Sequence, residues 1–151
     1  MIHIILMSFL FSSNDNFVME KTHAEVGIYS IIEDGDNVII NIYSINTIPI
    51  AGVQFEITPN NLFTIDSISG GKCKELGFNM HYNNVGMLLA FSMSGKSIPE
   101  SESIIPSDNI LFSAYGKKNK SFFNQVITLN PTLANSMGKK INSKVVPYIY
   151  K

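Results

Sequence analysis

The residues that could do chemistry are few and scattered. The densest group is "EDGDN" at 33–37, where Glu33, Asp34, Asp36 and Asn37 offer hard oxygen ligands. Calcium takes such oxygens, but its helix–loop–helix site spaces them at alternate positions and closes with a distal Glu. This run has neither feature. Asp-Gly is also a strong hairpin signal, because glycine accepts the positive φ of a tight turn, and a turn accounts for the same residues. No cofactor is expected, and calcium at Asp34 and Asp36 stays open as the alternative. His3, His23 and His81 lie far apart, without the short spacings of a transition-metal site. Cys73 is the only cysteine, which rules out an intramolecular disulfide and a cysteine-based zinc site. With no histidine close in sequence, it reads as a packed residue rather than a nucleophile.

Catalytic motifs are missing. The sequence contains no G-x-S-x-G, no phosphate-binding loop and no G-x-G-x-x-G. "GKS" at 95–97 resembles the end of a phosphate loop but lacks the upstream glycine and follows a strand. Glycoside hydrolysis needs two carboxylates, and Glu56 is the one acid in a central strand. The chain is therefore read as non-catalytic.

The elements that must position these residues are all extended. In 26–32, Val26, Ile28, Ser30 and Ile32 fall on one face. After the "EDGDN" turn, 38–43 returns with Val38, Ile40 and Ile42 against Ile39, Asn41 and Tyr43. Segment 50–57 places Val53, Phe55 and Ile57 on alternate positions, with Gln54 and Glu56 between them. Further strands are expected at 62–68, 76–81, 87–93, 110–115, 125–129 and 145–150. Of these, 87–93 is apolar on both faces and so reads as central. "NPTLANSMGKKINS" reads as a long turn-rich segment in which 133–140 could form one helical turn. No long 3.6-residue apolar period occurs. Short strands every 8–12 residues with turns between them indicate an all-β sandwich. Each buried Val, Ile, Leu or Phe contributes roughly 1.5–3 kcal/mol, so the inward faces can carry one domain.

Composition narrows the partners. The chain has 151 residues, 45% of them hydrophobic, and a formal net charge of −1. That balance gives no electrostatic reason to bind nucleic acid, and all 11 basic residues are lysine. The leading "MIHIILMSFLF" has the length of a signal-peptide core but lacks a basic start and a clean cleavage site. A buried first strand, a docked tail or a mis-assigned start fits it as well. It is shorter than the roughly 20 apolar residues of a membrane span. Residues 1–24 are thus expected to be an apolar leader and connecting segment, and 25–151 the sandwich. Asn119-Lys120-Ser121 is a formal glycosylation sequon.

The order of motifs carries one further reading. Pro49, Ala51, Gly52, Gln54 and Phe55 fit a "P-x-A-G-x-Q-F" strand. Gly70, Gly71, Gly77 and Phe78 fit a "GG" turn and "GF" strand. Phe91, Ser92, Gly95, Ile98 and Pro99 fit an "FSxxGxxIP" segment, and a late "NP" turn follows. Over about residues 25–147 this resembles the cohesin-like branch of the cohesin and carbohydrate-binding-module sandwiches. It departs from that pattern at "ESESIIPSDN" and at Ala134-Asn135. The resemblance implies a jelly-roll β-sandwich of about nine strands, secreted or surface-associated, that binds a protein partner of dockerin type through a sheet face. Asn41, Tyr43, Gln54 and Glu56 then become the partner-facing candidates. The alternative is a jelly-roll coat or surface protein that self-assembles. A polysaccharide-binding module comes third, because there is no Trp and Tyr29, Tyr43, Tyr82 and Tyr115 form no obvious row.

Overall fold

A computed structural model describes residues 21–151; the expectations for the apolar leader fall on 1–20 and lie outside the described residues. Two sheets pack face to face. The strands are β1 (Ala24–Asp34), β2 (Asn37–Asn46), β3 (Gly52–Thr58), β4 (Phe63–Ser69), β5 (Asn79–Tyr82), β6 (Met87–Phe91), β7 (Ile110–Lys118), β8 (Val126–Ala134), β9 (Lys140–Ile141), β10 (Ser143–Val146) and β11 (Tyr148–Ile149). One sheet runs β10-β1-β2-β7-β4, and the other β11-β8-β3-β6-β5 with β9 on β8. The architecture is an all-β jelly-roll sandwich, and nine of its strands are longer than two residues.

The inward faces fill the space between the sheets. Val26, Ile40, Ile42, Val53, Phe55, Ile57, Leu88, Ala90, Leu111, Phe112, Ile127 and Leu133 are all buried. Phe55 and Phe112 meet across the sandwich with ring centroids 6.1 Å apart. Alternation along β3 is strict, with Val53, Phe55 and Ile57 buried and the residues between them half-buried. The period-2 pattern positions this strand as its sequence indicates.

Several sequence expectations need correction. The alternation puts Ile32 on one face with Val26 and Ile28, but it is 51% exposed and Ile31 is buried instead. The pairing of β1 with β2 shifts between Ile28 and Ser30; the extra residue, Tyr29, is a bulge, and a bulge turns every later side chain to the other face. The expected turn-rich stretch after Leu129 is strand as far as Ala134, because Pro131 sits opposite Phe55 without ending the β3–β8 pairing. No helical turn forms at 133–140, which is the end of β8, a turn and β9. A short helix, α1 (Gly71–Glu75), replaces the simple break expected at "SGGK". Gly71 makes α1 possible: its φ is +61°, and a Cβ there would lie 2.4 Å from the Leu111 carbonyl oxygen.

The last expected strand, 145–150, is two. β10 pairs in parallel with β1, whereas β11 pairs antiparallel with β8 in the opposite sheet. Pro147 lies between them, where the missing N–H would interrupt any continuous ladder. The chain therefore crosses from one sheet to the other and ties them together at this side.

Candidate functional site: the two outer faces

The four partner-facing candidates fall on opposite sides of the molecule. Asn41 and Tyr43 belong to β2 in the five-stranded sheet, and Gln54 and Glu56 to β3 in the other. They cannot form one surface.

On the five-stranded sheet, both candidates are engaged internally. The Asn41 amide donates to Ser30 Oγ at 2.8 Å, and Ser113 Oγ donates to Asn41 Oδ1 at 2.5 Å. Tyr43 is only 4% exposed. Its ring lies over Gly27, where a Cβ would come within 2.9 Å of Tyr43 Cε1. Gly27 pairs with Tyr43 in the ladder, so glycine here makes room for the ring. The Tyr43 hydroxyl donates to Glu25 Oε1 at 3.0 Å. Burial, reinforced by that carboxylate, pushes the phenol up to about 12. This candidate serves the sheet, and a partner cannot reach it without displacing it.

The outer face of the second sheet is different. Gln54 pairs with Leu89 on one side and Thr132 on the other; Glu56 pairs with Met87 and Asn130. Next to β6, His81 lies opposite Leu89 and Asn79 opposite Phe91. Met87, Leu89 and Phe91 therefore form an outward stripe along β6, half-buried and alternating with the buried Leu88 and Ala90. The His81 ring stacks on Phe91 at a centroid distance of 5.8 Å and 16° between planes. Gln54, Glu56, Asn130 and Thr132 make no side-chain hydrogen bond or ion pair among the described residues. Beyond Glu56 the face falls into a hollow of about 240 Å³ bordered by Thr58, Asn60, Asn83 and Met87.

Sequence reading missed this stripe, although its signal was present. Strand 87–93 is apolar on both faces, a pattern that by itself indicates a central strand. β6 lies one strand from the edge, with only the short β5 beyond it. One of its apolar faces enters the core and the other faces outward.

The remaining chemical groups are accounted for by packing. Cys73 is buried, and desolvation lifts its thiol to about 12, so it carries no thiolate at neutral pH. Glu33 takes a hydrogen bond from Lys118 Nζ at 2.8 Å and another from the Tyr150 hydroxyl. Lys118 first, and then Tyr150, hold its carboxyl below the usual range. Asp34 pairs with Asn37 across the hairpin, Gly35 takes the positive φ, and the Asp36 carbonyl accepts from the Lys118 N–H. Among the described residues, no three His, Cys, Asp or Glu side chains come together to hold a metal ion. No described helix is long and apolar enough to cross a membrane.

No protein-family model matches the chain, and no curated protein matches it. Solved structures do. A non-cellulosomal cohesin from the hyperthermophilic archaeon Archaeoglobus fulgidus superposes with a TM-score of 0.58 at 9% identity, covering 86% of this chain and 92% of the cohesin. The third ScaB cohesin of R. flavefaciens, solved in complex with a group 1 dockerin, gives 0.51 at 14% identity, covering 83% and 92%. The chain has a cohesin-like fold.

Proposed function

We propose that this protein is a non-catalytic binding module that engages a partner protein through the outer face of β8-β3-β6-β5. The single observation behind this reading is the outward, half-buried stripe Met87-Leu89-Phe91, flanked by polar side chains that make no side-chain hydrogen bond or ion pair among the described residues. Contact surfaces of proteins are enriched in Met and aromatic residues at their centre, with a polar rim that completes its hydrogen bonds on association. Here the stripe is the centre, and Gln54, Glu56, Asn79, Asn130 and Thr132 are the rim. The cohesin-like fold supports the same reading, because a neighbour with that fold was solved with a dockerin bound. A dockerin-type module, met outside the cell or on its surface, is the proposed partner class.

The test compares variants on the two faces. Immobilised full-length protein and its Leu89→Asp and Asn41→Ala variants would be exposed to lysate and culture fluid of the source organism, with and without EDTA. A heterologous protein retained by wild type and Asn41→Ala but lost with Leu89→Asp is the expected result. Loss in EDTA, restored by added calcium and not by magnesium or zinc, would assign calcium to the complex. Equal retention by all three would move the interface off this face. Recovery of the same chain alone, with concentration-dependent sedimentation, would favour a self-assembling surface protein.

A further inference from the structure

The three most exposed large apolar side chains among the described residues are Ile104, Met93 and Met137, at 86%, 77% and 75%. All three lie at one end of the sandwich, where β2, β6 and β8 finish and β1, β3 and β7 begin. Ile105 stands exposed beside Ile104. Single apolar side chains scattered over a surface need no explanation, but a set gathered at one end marks a contact surface. The outer face of β8-β3-β6-β5 does not account for it.

The loop from β6 to β7 divides this end into two halves. Its first limb belongs to the sheet of β8-β3-β6-β5: the Ser92 N–H donates to the Ala51 carbonyl, and the Ala51 N–H donates to the Ala134 carbonyl at the end of β8. Met93 and Lys96 on this limb share that half with Met137, Lys139 and Lys140 of the β8–β9 turn. The loop then crosses between the sheets at Ile98, which pairs with Ile50 and closes the core. Its second limb belongs to the five-stranded sheet, because the Ser101 N–H donates to the Asn46 carbonyl at the end of β2. This limb carries Glu100, Glu102, Ile104, Ile105 and Asp108. One half of the end is thus basic with methionine tips, and the other acidic with isoleucine tips.

The two halves balance. Glu100, Glu102 and Asp108 stand against Lys96, Lys139 and Lys140, all six exposed. Ser103 Oγ donates to Asp108 at 2.7 Å; the other five make no side-chain hydrogen bond or ion pair among the described residues. Nearby, Lys72 is held by Asn109 Oδ1 at 2.7 Å, and Lys74 and Glu75 of α1 offset each other in charge.

The apolar tips stand on ordered backbone. Asn109 is 1% exposed, and its amide donates to the Ser103 and Ile105 carbonyls at 2.8 and 2.9 Å, which clamps the chain on both sides of Ile104. The buried Asn46 amide holds the Ile48 and Pro99 carbonyls in the same way. In the β8–β9 turn, Asn135 Oδ1 accepts from the Met137 and Lys139 N–H groups, both at 3.0 Å. Loops already ordered in the free chain lower the entropic cost of a contact made through them.

A surface of one sign accepts any partner of the other sign. A surface split into an acidic and a basic half is complementary to itself after a half-turn, which lays each acidic half on a basic one. From this we infer that two copies of the chain associate end to end through this surface, with Ile104 and Ile105 of one copy against Met93 and Met137 of the other. Such a contact uses the same patch on both copies and closes at a dimer. It leaves the outer face of β8-β3-β6-β5 free, so each copy can still hold a partner there.

Sedimentation equilibrium of the full chain over a concentration series tests this. A monomer–dimer equilibrium is expected, weakened by high salt because exposed charges are screened. Ile104→Asp should weaken the dimer roughly tenfold or more, as loss of a central apolar anchor does. Two charge-reversed variants decide the arrangement. Glu100→Lys/Glu102→Lys makes the acidic half net basic, and Lys139→Glu/Lys140→Glu makes the basic half net acidic. Each should be monomeric alone, and an equimolar mixture should form heterodimers. Leu89→Asp, on the proposed partner face, should leave the dimer unchanged, so the two readings fail separately. A wild-type chain that stays monomeric at every concentration overturns the inference. So does a dimer indifferent to Ile104→Asp, growth beyond the dimer, or charge-reversed variants that do not associate on mixing. The concentration and salt series use the wild-type chain, so the outcome does not depend on any variant folding.

Discussion

On the outer face of the five-stranded sheet, the upper polar residues bond to one another: Ser30 to Asn41, Asn41 to Ser113, Tyr43 to Glu25. On the outer face of β8-β3-β6-β5, Gln54, Glu56, Asn130 and Thr132 make no side-chain hydrogen bond or ion pair among the described residues. Both faces cover the same core and are built from alternating strands. They differ in where their hydrogen bonds go. A network closed within the sheet adds to stability and gives a partner little to gain. An open set adds little to stability and can offer its full hydrogen-bonding capacity to a partner. The comparison predicts that substitutions on the first face will be felt in folding, and those on the second in binding.

The largest effect should come from the core that both faces enclose. Phe55→Ala removes a ring with no exposure that contacts Phe112, and should cost about 3–5 kcal/mol in chemical denaturation, the range for buried Phe truncations. Tyr43→Ala should approach that range, at about 2–4 kcal/mol, although Tyr43 sits on an outer face. It leaves a void over Gly27 and takes from the Glu25 carboxylate its hydroxyl donor, leaving only the Lys144 ion pair. If Tyr43→Ala cost less than about 0.5 kcal/mol, the surface norm, the first face would be as open as the second and the comparison would fail.

Tyr43→Phe sharpens the point by removing only the hydroxyl. Its expected cost at neutral pH is about 0.5–1.5 kcal/mol, that of one hydrogen bond. A pH signature accompanies it. The Tyr43 phenol is raised to about 12 in the folded protein, above an ordinary value near 10. A raised pKa means that the folded state holds this proton more tightly than the unfolded chain does. The contribution is therefore complete below pH 10 and is lost as pH rises from there through about 12. Wild type should lose stability over that window, and Tyr43→Phe should lose less. Denaturation midpoints at pH 8 and pH 11.5 would show it. Glu33 acts at the other end of the scale. Its carboxyl is held below the ordinary value by Lys118 and Tyr150, so its contribution is present above the unfolded-state pKa and fades as pH falls through the folded one. Lys118→Met should reduce that acid sensitivity.

How much of this could be read from the chain depends on how local each feature is. Strands with clean alternation, such as β3, were legible because the period of two fixes which side chains enter the core. The Asp-Gly hairpin was legible because one glycine sets the turn. The bulge at Tyr29 was not, because nothing in "GIYSIIED" distinguishes a continuous strand from one with an extra residue; the pairing with β2 decides it. Continuation of β8 through Pro131 was hidden for a related reason, since a proline in a strand is tolerated only where its missing N–H is not needed, and that depends on the neighbouring strand. Tyr43 was misjudged because outward alternation was equated with exposure, whereas the Gly27 opposite lets the ring lie flat. β6 shows the converse, with a doubly apolar strand that covers the core on one side only.

The smallest expected change in stability is also the most informative about function. Gln54→Ala sits on the same strand as Phe55, one residue away, and removes a side chain that makes no hydrogen bond or ion pair among the described residues. It should change stability by less than about 0.5 kcal/mol. On the proposed binding face, the same substitution should weaken partner binding, because a rim amide that completes its hydrogen bonds only in the complex contributes only there. Calorimetric titration of the captured partner against wild type, Gln54→Ala and Asn41→Ala would separate the faces. Weaker binding with unchanged stability for Gln54→Ala, against lower stability with unchanged binding for Asn41→Ala, is the pattern the two faces require. If both variants behaved alike in both measurements, internal hydrogen bonding would not be what distinguishes the faces, and the binding role would rest on the apolar stripe of β6 alone.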